Sequence, residues 1–358
     1  MNGNGERGKK AFKIFVIIFI GIILFFSKEE NQERFIGILN EIGIGSMDLE
    51  VVESISLEGD MEDIAYYDGR IIKWGNNRLG KFKLDGSKEW EKEFNLNKTG
   101  LTFGKRGIYI FEKGGGDIYL LNPSGETIKR VGLEDGIIDI VESNNYLLIH
   151  SKDLEGERIN ILDMDGNIIA ENFIDSKNIL TCCIDEEGTS YALSLLNLLG
   201  DNIKSEVHIF HIGGQLLSTS SIDDEILLFT QFVDDNKLIA MSDKALYFIN
   251  RGNILWKKSF QLIKDIKIEK DKIHILYGNT LETISLDGRT EARKSFNQEY
   301  KKILPMDKYI VLYGDEYLIG LKNGEELFKH KMEDNIIKII GGGKRLILVY
   351  QDRIDVLG

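Results

Sequence analysis

The sequence predicts an all-β protein, an eight-bladed β-propeller that follows an N-terminal transmembrane helix. Two observations predict the propeller. A turn dipeptide that ends in glycine recurs seven times at intervals of 36 to 48 residues, and such intervals suit four short strands per unit. The last unit lacks one strand, and a segment near residue 50 has the alternating pattern needed to complete it.

The turns that end in glycine predict where one strand ends and the next begins. Apolar runs such as Ile118–Leu121 precede them, and more polar strands such as Lys88–Phe94 follow them. Glycine, and to a lesser degree Asp or Asn, tolerates the positive φ that two-residue hairpins need. The seven turns are Asp85-Gly86, Ser124-Gly125, Asp165-Gly166, Gly213-Gly214, Arg251-Gly252, Asp287-Gly288 and Asn323-Gly324.

Two further segments lie upstream of each turn and complete a four-stranded unit. The central strand is an apolar segment such as Lys308–Gly314, and the innermost strand is a segment such as Gly136–Val141 or Asn335–Ile340. Four strands per period, repeated radially, describe the blades of a propeller.

The two ends of the sequence predict how the ring closes. After the seventh turn the sequence supplies three more strands and stops at Arg353–Gly358, so an eighth outer strand is missing there. Residues Leu49–Leu57 alternate suitably to supply it, and closure of this kind removes open sheet edges. We therefore predict eight blades, with seven as the alternative if the terminal strands pair differently.

The N-terminal segment predicts a membrane anchor. Four basic residues and one acidic residue precede the uncharged run Ile14–Phe26, and the segment 11–27 is just long enough to span a bilayer. The positive charges place residues 1–10 in the cytoplasm and the propeller, 49–358, on the extracytoplasmic side, beyond a juxtamembrane stalk at 28–48. A cleaved signal peptide or a buried soluble helix is the alternative, but no Ala-x-Ala-like cleavage site follows the apolar run.

Charge and cysteine content narrow the function. The formal net charge is −13, and residues 1–48 balance six basic against six acidic side chains, so the propeller carries the whole excess. An acidic surface repels nucleic-acid phosphates, so we predict no nucleic-acid partner and favour a protein or a cell-envelope component as the partner.

The two cysteines, Cys182 and Cys183, form no disulfide framework and have no zinc-site spacing. We interpret them as small strand residues that point to opposite faces, with a vicinal redox pair as the alternative.

The residues after two of the turns resemble the quinoprotein-like (PQQ-type) propeller repeat, which reads as an apolar strand followed by Asp-x-x-Gly-x-x-x-Trp. In Leu84–Trp90 and Asn250–Trp256 the tryptophan follows the turn glycine by four residues, and Phe328 stands at the same distance from Gly324. The other four units carry Lys129, Ala170, Ser218 and Ala292 at this docking position.

This resemblance covers roughly residues 50–358 and implies a propeller fold. Dehydrogenases, outer-membrane assembly scaffolds and single-span membrane-anchored bacterial propellers share it, so it implies no single activity. In the quinoprotein enzymes a calcium-binding carboxylate set and commonly a vicinal disulfide hold the cofactor. Cys182-Cys183 is similar to the second feature, but no carboxylate set accompanies it, so we predict no cofactor.

The sequence predicts no catalytic, cofactor-binding or metal-ligating residues. Asp163 and Asp165 are spaced like the start of a calcium loop, but the distal ligands are missing and a hairpin turn is favoured. The glycine runs Gly114–Asp117 and Gly341–Lys344 lack the context of a phosphate-binding loop and are interpreted as tight loops. Structural or surface roles are predicted for the histidines, with His208 and His211 on opposite faces of a strand. The five histidines are His150, His208, His211, His274 and His330.

One interval, between Gly166 and Gly214, is longer than the others at 48 residues and contains the apolar stretch Leu193–Leu199. This insertion in the fourth blade predicts either an exposed partner-binding loop or a longer strand pair.

Because the sequence has no convergent set of catalytic residues, we predict a non-enzymatic, membrane-anchored binding or scaffolding protein. An extracytoplasmic enzyme, a hydrolase or quinoprotein with its site in the propeller channel, and a sensory ectodomain are the alternatives.

Overall fold

The fold is described by a computed structural model. Among the described residues there are 32 β-strands and no helix, and no helix there could cross a membrane. The all-β prediction is confirmed, whereas the tail, anchor and stalk predicted at 1–48 lie outside the described residues. The structure describes residues 49–56, 60–175, 177–198, 202–332, 336–342 and 345–358.

The strands form eight antiparallel sheets of four, and each sheet is one blade. The first strands of neighbouring blades contact one another, so they are the innermost strands of the ring. The chain begins with β1 (Val51–Ser56), and blades one to four then comprise β2 (Asp63–Tyr67), β3 (Arg70–Gly75), β4 (Arg78–Phe82), β5 (Lys88–Glu93), β6 (Thr99–Phe103), β7 (Ile108–Glu112), β8 (Asp117–Leu121), β9 (Thr127–Gly132), β10 (Gly136–Glu142), β11 (Tyr146–Lys152), β12 (Glu157–Asp163), β13 (Ile168–Ile174), β14 (Asn178–Ile184), β15 (Ser190–Asn197), β16 (Lys204–His211) and β17 (Leu216–Asp223).

Blades five to eight repeat the same plan. They comprise β18 (Leu227–Asp234), β19 (Lys237–Ser242), β20 (Ala245–Asn250), β21 (Asn253–Ser259), β22 (Ile263–Glu269), β23 (Lys272–Tyr277), β24 (Thr280–Ser285), β25 (Thr290–Ser295), β26 (Lys302–Pro305), β27 (Ile310–Tyr313), β28 (Tyr317–Lys322), β29 (Glu325–Lys331), β30 (Lys338–Gly342), β31 (Arg345–Val349) and β32 (Arg353–Leu357).

The ring closes where the two ends of the chain meet. β1 pairs antiparallel with β32, from Val51 opposite Leu357 to Ser56 opposite Arg353. The eighth sheet therefore has the order β1-β32-β31-β30, with β1 as its outermost strand. Eight blades with closure by the terminal strands are confirmed, and the seven-bladed alternative is wrong.

The hydrophobic core lies between the blades. Eight clusters of buried side chains join consecutive blades, one cluster at each junction. At the closing junction, Ile64 and Ile71 of blade one pack with Ile347 and Val349 of blade eight. Because each sheet is covered on both faces, its central strands are apolar runs rather than alternating ones.

The seven predicted turns all connect the third and fourth strands of a blade, and their last glycines all have positive φ. Only Arg251-Gly252 and Asn323-Gly324 are two-residue turns, with positive φ at both residues. In the other five, a backbone hydrogen bond joins two residues four positions apart across the turn, as from the Lys83 amide to the Ser87 carbonyl. These are three-residue loops in which the glycine forms a bulge, so the predicted two-residue hairpin is wrong for five of the seven turns.

The two tryptophans at the docking position pack against the next blade. A Cβ placed on Gly125 would lie 2.5 Å from the Trp90 ring, and one on Gly288 would lie 3.2 Å from the Trp256 ring. The Trp256 indole also donates a 2.9 Å hydrogen bond from Nε1 to the carbonyl of Leu286. Each ring thus lies on the turn glycine of the following blade.

The two faces of the ring carry different connections. The glycine turns and the connections from first to second strands lie on one face, which we call the turn face. The connections from second to third strands and those between blades lie on the other, the loop face. Because β1 is an outermost strand, the chain enters the propeller at the turn face, at Leu49.

Candidate functional site

Three apolar side chains project from the innermost strands of neighbouring blades near the loop face. Ile138, Leu180 and Leu228, which we call the bulge residues, each occupy the extra position of a β-bulge. A bulge bends the strand and redirects a side chain. The three residues are 45%, 37% and 57% exposed, respectively. Blade six repeats the bulge with a charged residue, Lys264.

Five more apolar side chains are exposed on the loop face. All of them lie on connections between blades or on connections from second to third strands, and they are exposed to solvent. The other exposed large apolar side chains of the described residues lie on outermost strands around the ring. Exposed apolar side chains gathered on one face indicate a candidate interaction surface. The five on the loop face besides the bulge residues are Leu154, Leu198, Ile203, Leu262 and Ile337.

A buried carboxylate in blade three fixes the bulge of blade four. Glu157 accepts a 2.7 Å hydrogen bond from the amide of Ile179, the residue before Leu180. Its carboxylate also lies 3.0 Å from His150 Nε2 and 2.9 Å from Lys152 Nζ. Burial opposes the charged form, but these hydrogen bonds outweigh it and lower the pKa of Glu157 to about 2.

A second buried network fixes the bulge of blade five. The hydroxyl of Ser205 donates to the Glu225 carbonyl at 2.8 Å and accepts from the Leu227 amide at 3.2 Å, and Leu227 precedes Leu228. The Glu225 carboxylate accepts from Lys257 Nζ at 2.7 Å and from the hydroxyl of Ser242. Despite burial, these donors lower its pKa. Both bulges are therefore held by hydrogen-bonded side chains.

The channel opens at the turn face through a pocket of about 450 Å3. Phe103, Ile184 and Phe232 supply its apolar lining. Across it, Lys105 of blade two forms a 2.6 Å ion pair with Glu186 of blade four. The described residues contain no group of three or more His, Cys, Asp or Glu placed to hold a metal ion, and this mouth shows no convergent acid–base set.

Asp163 and Asp165, which are spaced like the start of a calcium loop, lie at a turn between two strands. Both carboxylate oxygens of Asp163 accept hydrogen bonds from Asn167, at 2.7 Å from its amide and 2.9 Å from its side chain. These bonds lower the pKa of Asp163. The hairpin interpretation of Asp163 and Asp165 therefore accounts for both residues.

The histidines lie on strands, and the structure does not bring them together. His208 lies 2.8 Å from Glu206, whereas His211 is exposed and accepts from the Gly213 amide. His274 is buried against Thr283 at 3.0 Å, and its burial lowers its pKa to about 4. His330, on β29, is partly exposed.

Cys182 and Cys183 are both free thiols on the innermost strand β14. Cys183 is buried in the core between blades four and five, whereas Cys182 is packed on the blade-three side. Burial raises the pKa of Cys183 to about 12 and that of Cys182 well above its usual value. The prediction that they point to opposite faces is confirmed, and the vicinal disulfide that the quinoprotein resemblance suggests is not formed.

The glycine runs and the blade-four insertion are structural. Gly114–Asp117 connects β7 and β8, and Gly341 lies on β30, while Gly343 and Lys344 lie outside the described residues. Blade four has strands of seven or eight residues, and Leu193 and Leu195 are buried. The longer-strand interpretation is therefore correct for most of Leu193–Leu199, although Leu198 is exposed and Leu199 lies outside the described residues.

The bulge residues were missed by the sequence analysis. Gly136–Val141 is correctly predicted as an innermost strand, but that prediction does not distinguish Ile138 from its neighbours. The available signal is a pair of consecutive apolar residues at the start of an innermost strand, as in Ile137-Ile138 and Ile179-Leu180, because strict alternation allows only one of them to face the core.

Comparisons with known proteins agree with this architecture. The profile of one protein family, described as a family of unknown function (DUF5711), matches residues 46–358. No curated protein matches the sequence. Among solved structures, BamB from Moraxella catarrhalis is similar with a TM-score of 0.59 at 14% identity, over 87% of this chain and 99% of that chain.

Two further solved propellers are similar over most of their length. The C-terminal WD40 domain of Sif2 has a TM-score of 0.63 at 12% identity, over 87% of this chain and 99% of that chain. Chaetomium thermophilum Sqt1, solved bound to the N-terminus of the ribosomal protein L10, has a TM-score of 0.61 at 10% identity, over 86% and 99%. Identities this low show a shared fold and nothing more specific.

Proposed function

We propose that the chain, which belongs to the DUF5711 family, is a non-enzymatic binding or scaffolding propeller that captures a protein partner on its loop face. The bulge residues carry this proposal. Three neighbouring blades use the same backbone irregularity to present an apolar side chain at the same level of the ring. Because these side chains are already about half-buried, full burial by a partner stabilises each by roughly half of the 1.5–3 kcal/mol of a fully exposed apolar side chain.

The fold supports a protein as the partner. A propeller of similar architecture, Sqt1, was solved bound to the N-terminus of the ribosomal protein L10. The acidic excess of the chain, −13 overall, disfavours nucleic acid as an alternative partner. An apolar segment with basic flanks has the complementary chemistry, because charge attraction steers the encounter and apolar burial stabilises the complex.

We also propose that residues 11–27 anchor the chain and that the propeller lies on the extracytoplasmic side. The basic N-terminus and the uncharged run that follows it support this placement. Since the chain enters the propeller at the turn face, an anchor ahead of Leu49 leaves the loop face turned away from the membrane and accessible to a partner. Protease added outside intact cells tests this placement, because it should digest the propeller and leave a cytoplasmic control protein intact. If the propeller is digested only together with the control protein, after the cells are made permeable, the placement is wrong.

A matched pair of leucines in blade five tests the binding face. Leu228, on the innermost strand, and Leu255, on the outermost strand, are 57% and 56% exposed, so Leu228→Asp and Leu255→Asp add the same charge at equal exposure. We expect proximity labelling from the full chain in its native membrane to lose its reproducible partner with Leu228→Asp and to keep it with Leu255→Asp.

The same experiment has two outcomes that contradict the proposal. If both variants label the same proteins as the unchanged chain, the bulge residues do not contact the partner. If Leu255→Asp alone loses the partner, the outer rim rather than the loop face is the binding surface. Circular dichroism of both variants confirms that the propeller remains folded.

A further inference from the structure

At most blade junctions, a side chain of the preceding blade covers the turn glycine. The covering atoms lie 2.5 to 3.2 Å from the position of a Cβ added to the glycine, and Gly86 of blade one is covered by blade eight across the closure. The covering residues, with their glycines, are Ile55 on Gly86, Trp90 on Gly125, Lys129 on Gly166, Asn172 on Gly214, Ser218 on Gly252 and Trp256 on Gly288.

The seventh turn glycine, Gly324, is uncovered. Blade six carries Ala292 at the docking position, and no described atom lies within 4 Å of a Cβ added to Gly324. Both residues are exposed. The space left between blades six and seven is a pocket of about 830 Å3 on the turn face, which we call the open junction.

The walls of the open junction are held by contacts within the chain. Leu281 and Leu321, both buried in the core of this junction, line it from below. At its side, Lys294 Nζ donates to the carbonyl of Gly324 at 2.8 Å. The pocket is therefore formed before any ligand enters, which lowers the entropic cost of binding.

We propose that the open junction binds an aromatic side chain, preferably tryptophan, of a partner protein. The chain itself shows that an indole fits such a position, because Trp90 and Trp256 lie on the equivalent glycines of blades two and six. An aromatic ring buries about 150–250 Å2, and a cation at the rim, that of Lys294, attracts its face. The site lies on the turn face and is separate from the loop-face surface proposed above.

The test uses N-acetyl-tryptophan amide as the probe and the full chain, labelled with 15N, in detergent micelles. We expect saturable shifts of the amide resonances of Gly324 and Ala292, with a Kd on the order of 1 mM, an affinity suited to a single side chain. N-acetyl-alanine amide provides the matched probe and is expected to give no saturable shift.

Substitutions that fill the pocket separate this site from the rest of the surface. Ala292→Trp places the chain's own indole on Gly324 and is expected to weaken probe binding at least tenfold. Ser218→Trp, at a junction that is already covered, is expected to leave probe binding unchanged. If Ala292→Trp does not fold, the smaller Ala292→Leu serves the same purpose.

Two results would overturn the proposal. One is the absence of a saturable shift at Gly324 with the unchanged chain. The other is binding of the probe to a folded Ala292→Trp or Ala292→Leu variant as tightly as to the unchanged chain. Neither result bears on the loop face, since the bulge residues are unaltered throughout.

Discussion

At the scale of single residues, buried carboxylates connect the blades to the candidate binding surface. Glu157 belongs to blade three, but one of its hydrogen bonds goes to the Ile179 amide of blade four. It holds the strand end immediately before the bulge at Leu180. A buried carboxylate is stable only when its lone pairs are satisfied, and His150 and Lys152 complete that requirement.

The lowered pKa of Glu157 predicts how its contribution to stability varies with pH. Its pKa falls from 4.5 to about 2 on folding, so the stabilisation is fully present above pH 4.5 and is lost as the pH falls towards 2. We expect Glu157→Gln to reduce the free energy of unfolding at pH 5 by about 2 kcal/mol. In urea titrations the difference from the unchanged chain should shrink between pH 4.5 and 2.

The exposed neighbour Glu155 provides the control for that measurement. Glu155→Gln removes the same charge two residues earlier, on the exposed connection before β12 and outside the buried network, and it should change the free energy of unfolding little at any pH. A difference between the Glu157→Gln variant and the unchanged chain that stays constant from pH 5 to pH 2 would falsify this account of the carboxylate.

At the scale of the turn, the sequence predicts the glycine positions but not the turn geometry. All seven glycines need positive φ, a local requirement that glycine satisfies at little cost. Whether the loop has two residues or three depends on which residues pair across it, Lys83 with Ser87 in blade one but Asn250 with Asn253 in blade five. Register is set by packing between blades, which lies beyond the reach of a local pattern.

The same reasoning explains which parts of the candidate site the sequence could not predict. The ring closure follows from an alternating segment and a missing strand, so Val51–Ser56 was correctly assigned. The bulges at Ile138, Leu180 and Leu228 each add one residue to an innermost strand. Blades one, two, seven and eight pair the corresponding strands without a shift, so the repeat pattern alone does not predict the bulges. The open junction depends on which residue covers a glycine about thirty residues later in the chain, and that pairing is visible only in the fold.

Two turn glycines with nearly equal φ separate the effect of docking from the strain that a positive φ imposes on alanine. Gly125 and Gly324 have φ of 83° and 82°, so Gly125→Ala and Gly324→Ala should each cost about 1 kcal/mol of strain. At Gly125 the new methyl group also meets Trp90, which it would approach to 2.5 Å, whereas at Gly324 nothing described lies within 4 Å. We expect thermal unfolding to show Gly125→Ala less stable than Gly324→Ala by about 1–3 kcal/mol. Equal losses would show that Trp90 moves aside at no cost.

At the scale of the whole molecule, stability depends on closing the ring. Seven blades are each made from four consecutive strands, so their pairing is local. Blade eight alone pairs strands from opposite ends of the chain, and Ser54 adds a 2.6 Å hydrogen bond to Asp355 across that pairing. The closing junction also buries Ile354 and Ile347 against blade one. The long-range contacts of the fold therefore lie at this closure, where β1 supplies the strand pairing between the two ends of the chain.

Removal of that strand should open the ring. A chain that lacks residues 1–56 loses the five paired positions between β1 and β32, which at about 0.2–1 kcal/mol each amount to about 1–5 kcal/mol of stability. It also exposes the edge of β32, and an exposed edge favours pairing between chains. A chain that lacks only residues 1–48 keeps β1 and is the matched control. We expect the shorter chain to unfold at a lower temperature and to self-associate in analytical ultracentrifugation, while the control remains monodisperse. If both chains have the same Tm and sedimentation behaviour, β1 does not close the ring in solution and the remaining seven and three-quarter blades are stable without it.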